Sequence, residues 1–281
     1  MDFLEKAKLE SVFNNQVDET ADLLLRVFKQ DLLGLYLYGS ATHKGIQNFS
    51  DIDLLAITKR KLTNKEHKTL VEKLLQISKE PGKRAGFSVE LTLIEDSQVN
   101  PWRYPPKFFF QFGEWMRQDF ESKVKNPTHS DDMPDLAVLI TLVRLSGKIV
   151  KGLSPKNALP EVPFMDFMSA LHDKVPSLRK KLTSDTRNTL LTLARIWTTL
   201  NTDCICSKMD SADWAIAHLP KSIACSMERV KAITLGTEEN NFIDLEHQLS
   251  ALVDFMSVAI EKQYEALKKE VKINRKILLK F

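Results

Sequence analysis

Gly39-Ser40 is followed, after ten intervening residues, by Asp51-Ile52-Asp53. Side chains two apart on a strand share a face, so Asp51 and Asp53 project together. Two carboxylates held that close repel one another unless a cation sits between them. Hard oxygen donors favour Mg²⁺, which keeps waters free to exchange for phosphate oxygens. A third carboxylate comes from Phe87-Ser88-Val89-Glu90-Leu91-Thr92, where Phe87, Val89 and Leu91 point one way and Ser88, Glu90 and Thr92 the other. An antiparallel neighbour would set Glu90 beside the aspartates. Three carboxylates on adjacent strands, with a Gly-Ser turn whose amides and hydroxyl can meet phosphate, describe metal-dependent nucleotidyl transfer. An isolated Asp-x-Asp is more often a solvated strand edge; the Gly-Ser spacing and the third carboxylate turn the reading towards chemistry.

The elements that must hold these groups alternate. Residues 2–30 read as a helix, with Leu9, Val12, Phe13, Val17, Ala21, Leu24, Leu25 and Phe28 on its apolar side. Leu35 to Tyr38 is a short β-rich run, residues 41–50 are turn chemistry, and Ile52 to Ile57 is a second β-rich run. A charged amphipathic helix spans Thr63 to Ser78, Pro81-Gly82 ends it, and Phe87 to Ile94 is a third strand. Such alternation around a small sheet argues α/β. The second half reads as helix: Pro134 to Lys151, then, after a loop with Pro155, Pro160 and Pro163, runs at 164–174, 184–200, 209–218, 221–234 and 242–272. The expected fold is therefore α+β: an α/β domain with a small mixed sheet over 1–160, and an all-helical bundle over 161–281 ending in a basic tail.

Composition bounds the rest. A chain of 281 residues, 43% hydrophobic and 27% charged, can bury a sizeable core. Its net charge of +3 is too weak to imply a nucleic-acid binder. No apolar run reaches the ~18 residues of a membrane span, and the N-terminus lacks the apolar core of a secretory signal. Cys204, Cys206 and Cys225 cannot all pair and match no zinc-ligand spacing, which suits a reduced, cytoplasmic protein.

Leu37-Tyr38-Gly39-Ser40-Ala41, with Ser50-Asp51-Ile52-Asp53-Leu54-Leu55, resembles the Gly-Ser…Asp-x-Asp signature of polymerase-β-like nucleotidyltransferases. Pro101-Trp102-Arg103-Tyr104-Pro105-Pro106-Lys107, Phe112-Gly113-Glu114-Trp115, Leu191-Thr192-Leu193-Ala194-Arg195-Ile196-Trp197 and Ala212-Asp213-Trp214-Ala215 narrow the likeness. Together they resemble the bacterial aminoglycoside (3'')(9) and (9) adenylyltransferases, which modify streptomycin and spectinomycin. The resemblance implies two Mg²⁺ ions held by Asp51, Asp53 and Glu90, with Glu90 also the base that takes the proton from the antibiotic hydroxyl. It implies that Gly39, Ser40 and Ser50 meet ATP. Arg195 and Lys208 would reach the ATP phosphates from a helical domain that closes over the nucleotide. Glu90, Trp115, Asp185 and Asn188 would line the antibiotic pocket, with Glu114 and Asp119 further acidic groups beside the site. Taken singly, Arg195 also suits a salt-bridged helix residue, Lys208 a surface lysine and Trp115 packed core.

Two departures bear on substrate. Family members often carry Tyr-Leu-Gly late in the helical domain; here it is Thr234-Leu235-Gly236. The segment from Ala170 to Asp185 is two residues shorter than in dual-specificity members and lacks the Trp and Asp that hold streptomycin there. The expected activity is AMP transfer from ATP to the 9-hydroxyl of spectinomycin. Alternatives are a dual (3'')(9) enzyme that also takes streptomycin, or a nucleotidyltransferase acting on protein or RNA. The expected partners are ATP and an aminocyclitol or aminoglycoside antibiotic, with no nucleic acid, no membrane and a monomeric state.

Overall fold

In the computed structural model, which describes residues 3–42, 46, 51–80, 86–122, 132–239, 241–242, 246–270 and 276–280, the apolar runs of the first half build one five-stranded mixed sheet. Its strands are β1 (Leu32–Tyr38), β2 (Ile52–Thr58), β3 (Val89–Glu95), β4 (Phe110–Phe112) and β5 (Lys148–Gly152), in the order β4-β3-β2-β1-β5. The chain divides into two compact units, Met1–Val162 and Pro163–Phe281. Among the described residues no helix is long and apolar enough to cross a membrane.

Strand alternation sorts the sheet's side chains onto two cores. Leu35, Leu37, Ile52, Leu54, Ala56, Val89, Leu91 and Leu93 pack under helix α1 (Phe3–Phe28) and helix α2 (Asn64–Ile77). On the other face Tyr36, Leu55, Ile57 and Ile94 pack against Leu136, Ile140 and Val143. Phe109 and Phe110 are buried in the first core, and Phe108 packs at the edge of the second. Short helices α3 (Asp96–Val99) and α4 (Arg117–Ser122) flank β4.

Two expectations are corrected here. β3 lies parallel to β2, not antiparallel. The physical reason is α2, which carries the chain back across the sheet, as a parallel connection requires. Its start is secured by a capping box: Thr63 N–H donates to Glu66 at 2.9 Å, and Glu66 N–H to the Thr63 hydroxyl at 3.3 Å. The helix expected over 134–151 also stops early: α5 (Asp135–Ser146) ends at Gly147, and Lys148–Gly152 becomes strand β5. The β-branched pair Ile149-Val150 finds the open edge of β1, with Gly34 opposite Gly152 and Tyr36 opposite Ile149.

After α6 (Pro155–Ala158) the second unit is helical: α7 (Phe164–Asp173), α8 (Val175–Lys180), α9 (Thr186–Thr202), α10 (Lys208–His218), α11 (Lys221–Leu235) and α12 (Glu246–Lys269). α9 is buried along nearly its whole length and forms the spine of this unit. A third correction concerns the basic tail, which the all-helical expectation for 161–281 included. Its described end is a two-residue strand, β7 (Leu278–Leu279), parallel to β6 (Cys204–Ile205). All three cysteines are free, and burial first of all pushes the Cys206 thiol above its ordinary value.

Candidate active site

The sheet register brings the chemistry to one end. Tyr38, the last residue of β1, stands opposite Asp53 on β2, and Asp53 stands opposite Glu90 on β3. Asp51 precedes β2 on the same face by the two-residue period. That face is the one α5 covers further along, at Tyr36, Leu55, Ile57 and Ile94. At the open end Asp51, Asp53 and Glu90 are half-buried. Gly39 turns the chain away from β1 with φ +80°, a conformation that favours glycine. A Cβ there would also overlap the Asp53 carboxylate, so that carboxylate uses the space the glycine leaves. The backbone of Ser40 opens a 3₁₀ turn over Ser40–Thr42; its side chain, and all of Ser50, lie outside the described residues.

These groups fit a hard divalent cation in donor chemistry and placement. Among the described residues, however, no three His, Cys, Asp or Glu side chains gather into a metal cage. Mg²⁺ takes one or two protein carboxylates and fills its octahedron with waters and substrate phosphates, so the pair Asp51 and Asp53 would hold it without a third.

β4 leaves the sheet at the same end, since Phe112 lies opposite Leu91 and the strands are antiparallel. Trp115 follows on a 3₁₀ turn (Glu114–Met116) and is 59% exposed, so it is not packed core. Its indole lies over Gly113, where any side chain would overlap the ring. The neighbouring Glu114 corrects an expectation, for it is not an acidic group offered to a ligand. Arg117 grips both its oxygens, at 2.6 and 2.8 Å, and Ser78 donates to it as well. Ser78 in turn accepts the backbone N–H of Val89 at 2.9 Å. The network therefore ties the Trp115 turn to the start of β3, one residue before Glu90. Burial pushes the Glu114 carboxyl up, but the Arg117 and Ser78 hydrogen bonds outweigh it and hold the group below its ordinary value of 4.5. A depressed folded value means that Glu114 stabilises the fold fully above pH 4.5, and that this contribution is lost as acid protonates the folded carboxylate. Arg117→Met should lower the unfolding free energy by about 3 kcal/mol, because it leaves a buried carboxylate unpaired. Urea midpoints at neutral pH would check this, and a loss below about 1 kcal/mol would reduce the pair to an ordinary surface bridge.

In the second unit three expected residues form one chain of hydrogen bonds. Asp185 precedes α9 and accepts from Asn188 Nδ2 at 3.0 Å; the Asn188 carbonyl oxygen accepts from the Lys208 ammonium at the start of α10. Arg195 lies two turns further along α9, half-buried. Burial lowers its pKa, and among the described residues no carboxylate pairs with it. A partly desolvated guanidinium without an acid partner suits a phosphate better than it suits a structural salt bridge. The Thr234 hydroxyl is turned back on its own helix, donating to Val230 O at 2.7 Å.

Residues 157–259 match the family model for the C-terminal domain of aminoglycoside adenylyltransferases. The chain is 34% identical over 250 residues to the spectinomycin 9-adenylyltransferase of Campylobacter jejuni, covering 89% of this chain and 96% of that one. It is 32% identical over 252 residues to the aminoglycoside (3'')(9) adenylyltransferase of Escherichia coli, covering 89% and 95%. The chain belongs to the aminoglycoside adenylyltransferase family. The fold agrees: a crystal structure of spectinomycin adenyltransferase AAD(9) from Enterococcus faecialis with ATP and spectinomycin superposes with a TM-score of 0.80. It does so at 24% identity, over 89% of this chain and 99% of that one.

Tyr38 joins the site through its register with Asp53. Burial, and then the negative charges of Asp53 and Glu90, push its phenol well above the ordinary value. The hydroxyl thus stays protonated at the wall of an anionic pocket. The sequence carries the signal, since Tyr36 and Tyr38 alternate onto the face shared by Asp53. For the Ser78–Glu114–Arg117 network it carries none: Ser78 and Glu114 are 36 positions apart, and only packing brings them together.

Proposed function

We propose that the chain transfers AMP from ATP, with Mg²⁺, to the 9-hydroxyl of spectinomycin. The observation that carries this reading is the Asp53–Glu90 register beside the Gly39 turn, in a chain that belongs to this family. The relatives named for spectinomycin alone and the AAD(9) structure with ATP and spectinomycin support the choice of substrate.

Asp51 and Asp53 are the groups that would hold the metal, which when bound would draw charge from the phosphates during transfer. Glu90 accepts the proton of the attacking hydroxyl. The hydroxyl oxygen bonds to the α-phosphorus, the bond from that phosphorus to the bridging oxygen breaks, and pyrophosphate leaves. An ordinary glutamate, with a pKa near ~4.3, is a weak base, so positioning supplies much of the rate. Arg195 and Lys208 hold phosphate charge. Trp115 offers an apolar wall, and Asp185 with Asn188 offers oxygen acceptors to a cationic amine. The peptide N–H groups around Gly39 and Ser40 are donors that would meet the nucleotide phosphates.

Substrate choice rests on the short segment before Asp185. Its cations Arg179, Lys180 and Lys181 are exposed, and Arg179 is bound to Asp254. Asp173, the other acid of the segment from Ala170 to Asp185, already stands 3.4 Å from His172. A streptomycin guanidinium would meet cations where dual-specificity members offer a carboxylate.

The deciding experiment is a transfer assay with ATP, Mg²⁺ and a panel of aminocyclitols and aminoglycosides. Spectinomycin should be adenylylated with stoichiometric pyrophosphate release, and streptomycin should be spared. Equal turnover of streptomycin, abolished by Asp173→Ala, would convert the reading to dual specificity. Modification of RNA or protein with no antibiotic modified would end it.

A further inference from the structure

The described end of the chain lies beyond the family-model match, which stops at residue 259. There β7 adds itself to the helical unit as a strand, with Leu278 opposite Cys204 and Leu279 opposite Ile205. The N–H of Leu278 donates to Asp203 O at 2.8 Å, and the N–H of Lys280 donates to Ile205 O at 3.0 Å. The strand it joins occupies the elbow between α9 and α10. α9 ends at Thr202, Asp203 turns the chain with φ +56°, and Ser207 caps α10, whose first residue is Lys208. A left-handed residue closes the C-terminal end of a helix and redirects the chain, and aspartate is among the few non-glycine residues that adopt it. The two tail hydrogen bonds fall on the carbonyls of Asp203 and Ile205, that is, on the elbow itself. The elbow also fixes where Lys208 stands relative to Asn188 on α9, its hydrogen-bond partner.

We propose that the C-terminal strand Leu278–Leu279 is a positioning element for ATP binding: by pairing with Cys204–Ile205 it holds the α9–α10 elbow and thereby sets Lys208 against Asn188. The proposal rests on the reading of Lys208 as a phosphate-binding residue and extends it. The tail touches no substrate and acts through Lys208. A tail that only stabilised the fold would change melting temperature without selecting one kinetic constant.

The test uses the full chain carrying Leu278→Pro and Lys280→Pro, which removes both donated N–H groups. A second variant ending at residue 275 removes the strand by another route. In each, the KM for ATP should rise about tenfold with kcat held within about twofold, the signature of lost substrate binding. Amides over 203–207 should exchange faster with deuterium. In a Lys208→Ala background the same tail changes should add less than about twofold, because both act through one group. Lys280→Gln keeps the N–H and removes the charge, and should leave the KM for ATP unchanged. An unaltered KM for ATP in the proline and truncated variants overturns the proposal, as does slow exchange at the elbow without the strand. Full additivity with Lys208→Ala, or a Lys280→Gln effect as large as the proline effect, overturns it as well. If Lys208→Ala itself leaves the KM for ATP unchanged while AMP transfer persists, the assignment of Lys208 fails, and the tail proposal with it.

Discussion

Asp53→Asn should reduce AMP transfer by about three orders of magnitude or more, close to 4 kcal/mol of transition-state stabilisation, while the protein remains folded. Asparagine keeps the size of the side chain and the space beside Gly39 that the carboxylate fills, so packing is preserved. What is lost is one of two negative charges on a single strand face, and with it the charge that draws a divalent cation. Asp51→Asn should behave alike. The measurement is kcat at saturating ATP and spectinomycin with excess Mg²⁺, alongside a melting curve. Retention of more than about a tenth of the rate by either variant would mean that this pair is not the cation-holding site.

Glu90→Gln is expected to lose about 10²- to 10⁴-fold in kcat while ATP and spectinomycin still bind within a few-fold of the parent, because the proton acceptor goes and the shape stays. The register supports this division of labour. Glu90 stands opposite Asp53 across one strand pair, which sets the two side chains on one face. Calorimetry separates the roles. If Glu90→Gln abolishes ATP binding, Glu90 is chiefly a metal ligand and the proton acceptor must be sought elsewhere. Tyr38, although next to Asp53, is a poor substitute, since its phenol is held protonated.

The candidate site was legible in part. Asp51 and Asp53 share a face because strand periodicity is a local property, and Ile52 to Ile57 reads as strand without any partner. Gly39 was legible for the same reason, its conformation being set by the turn it makes. The pairing of β2 with β3 was half-legible. The helix between them is evident from its apolar spacing, whereas the direction it enforces shows only in the pairing, where Glu90 reaches Asp53 from a parallel strand. Lys148–Gly152 is strand although Leu139, Val143 and Val150 also fit helical spacing. The decision for strand came from the vacant edge of β1, over a hundred residues earlier in the chain.

The helical unit shows the same division. Asp185, Asn188, Arg195 and Lys208 were singled out from motifs, but their linkage was not. Asn188 and Lys208 are 20 positions apart and meet only because the elbow after Thr202 reverses the chain. Nor could the lysine-rich tail be read as a strand, for its partner at Cys204–Ile205 is remote and polar neighbours mask the short apolar run Ile277-Leu278-Leu279. By itself, then, the amino-acid sequence determined most of the helix and strand segments, the face each side chain takes within them and the acids available for chemistry, because these depend on neighbours within a few residues. The tertiary structure alone decided strand direction, the capture of β5 and β7 at open edges, the Ser78–Glu114–Arg117 brace and the meeting of Lys208 with Asn188. Each of these is a hydrogen bond or ion pair between distant segments, and its partner exists only once the chain has folded around it.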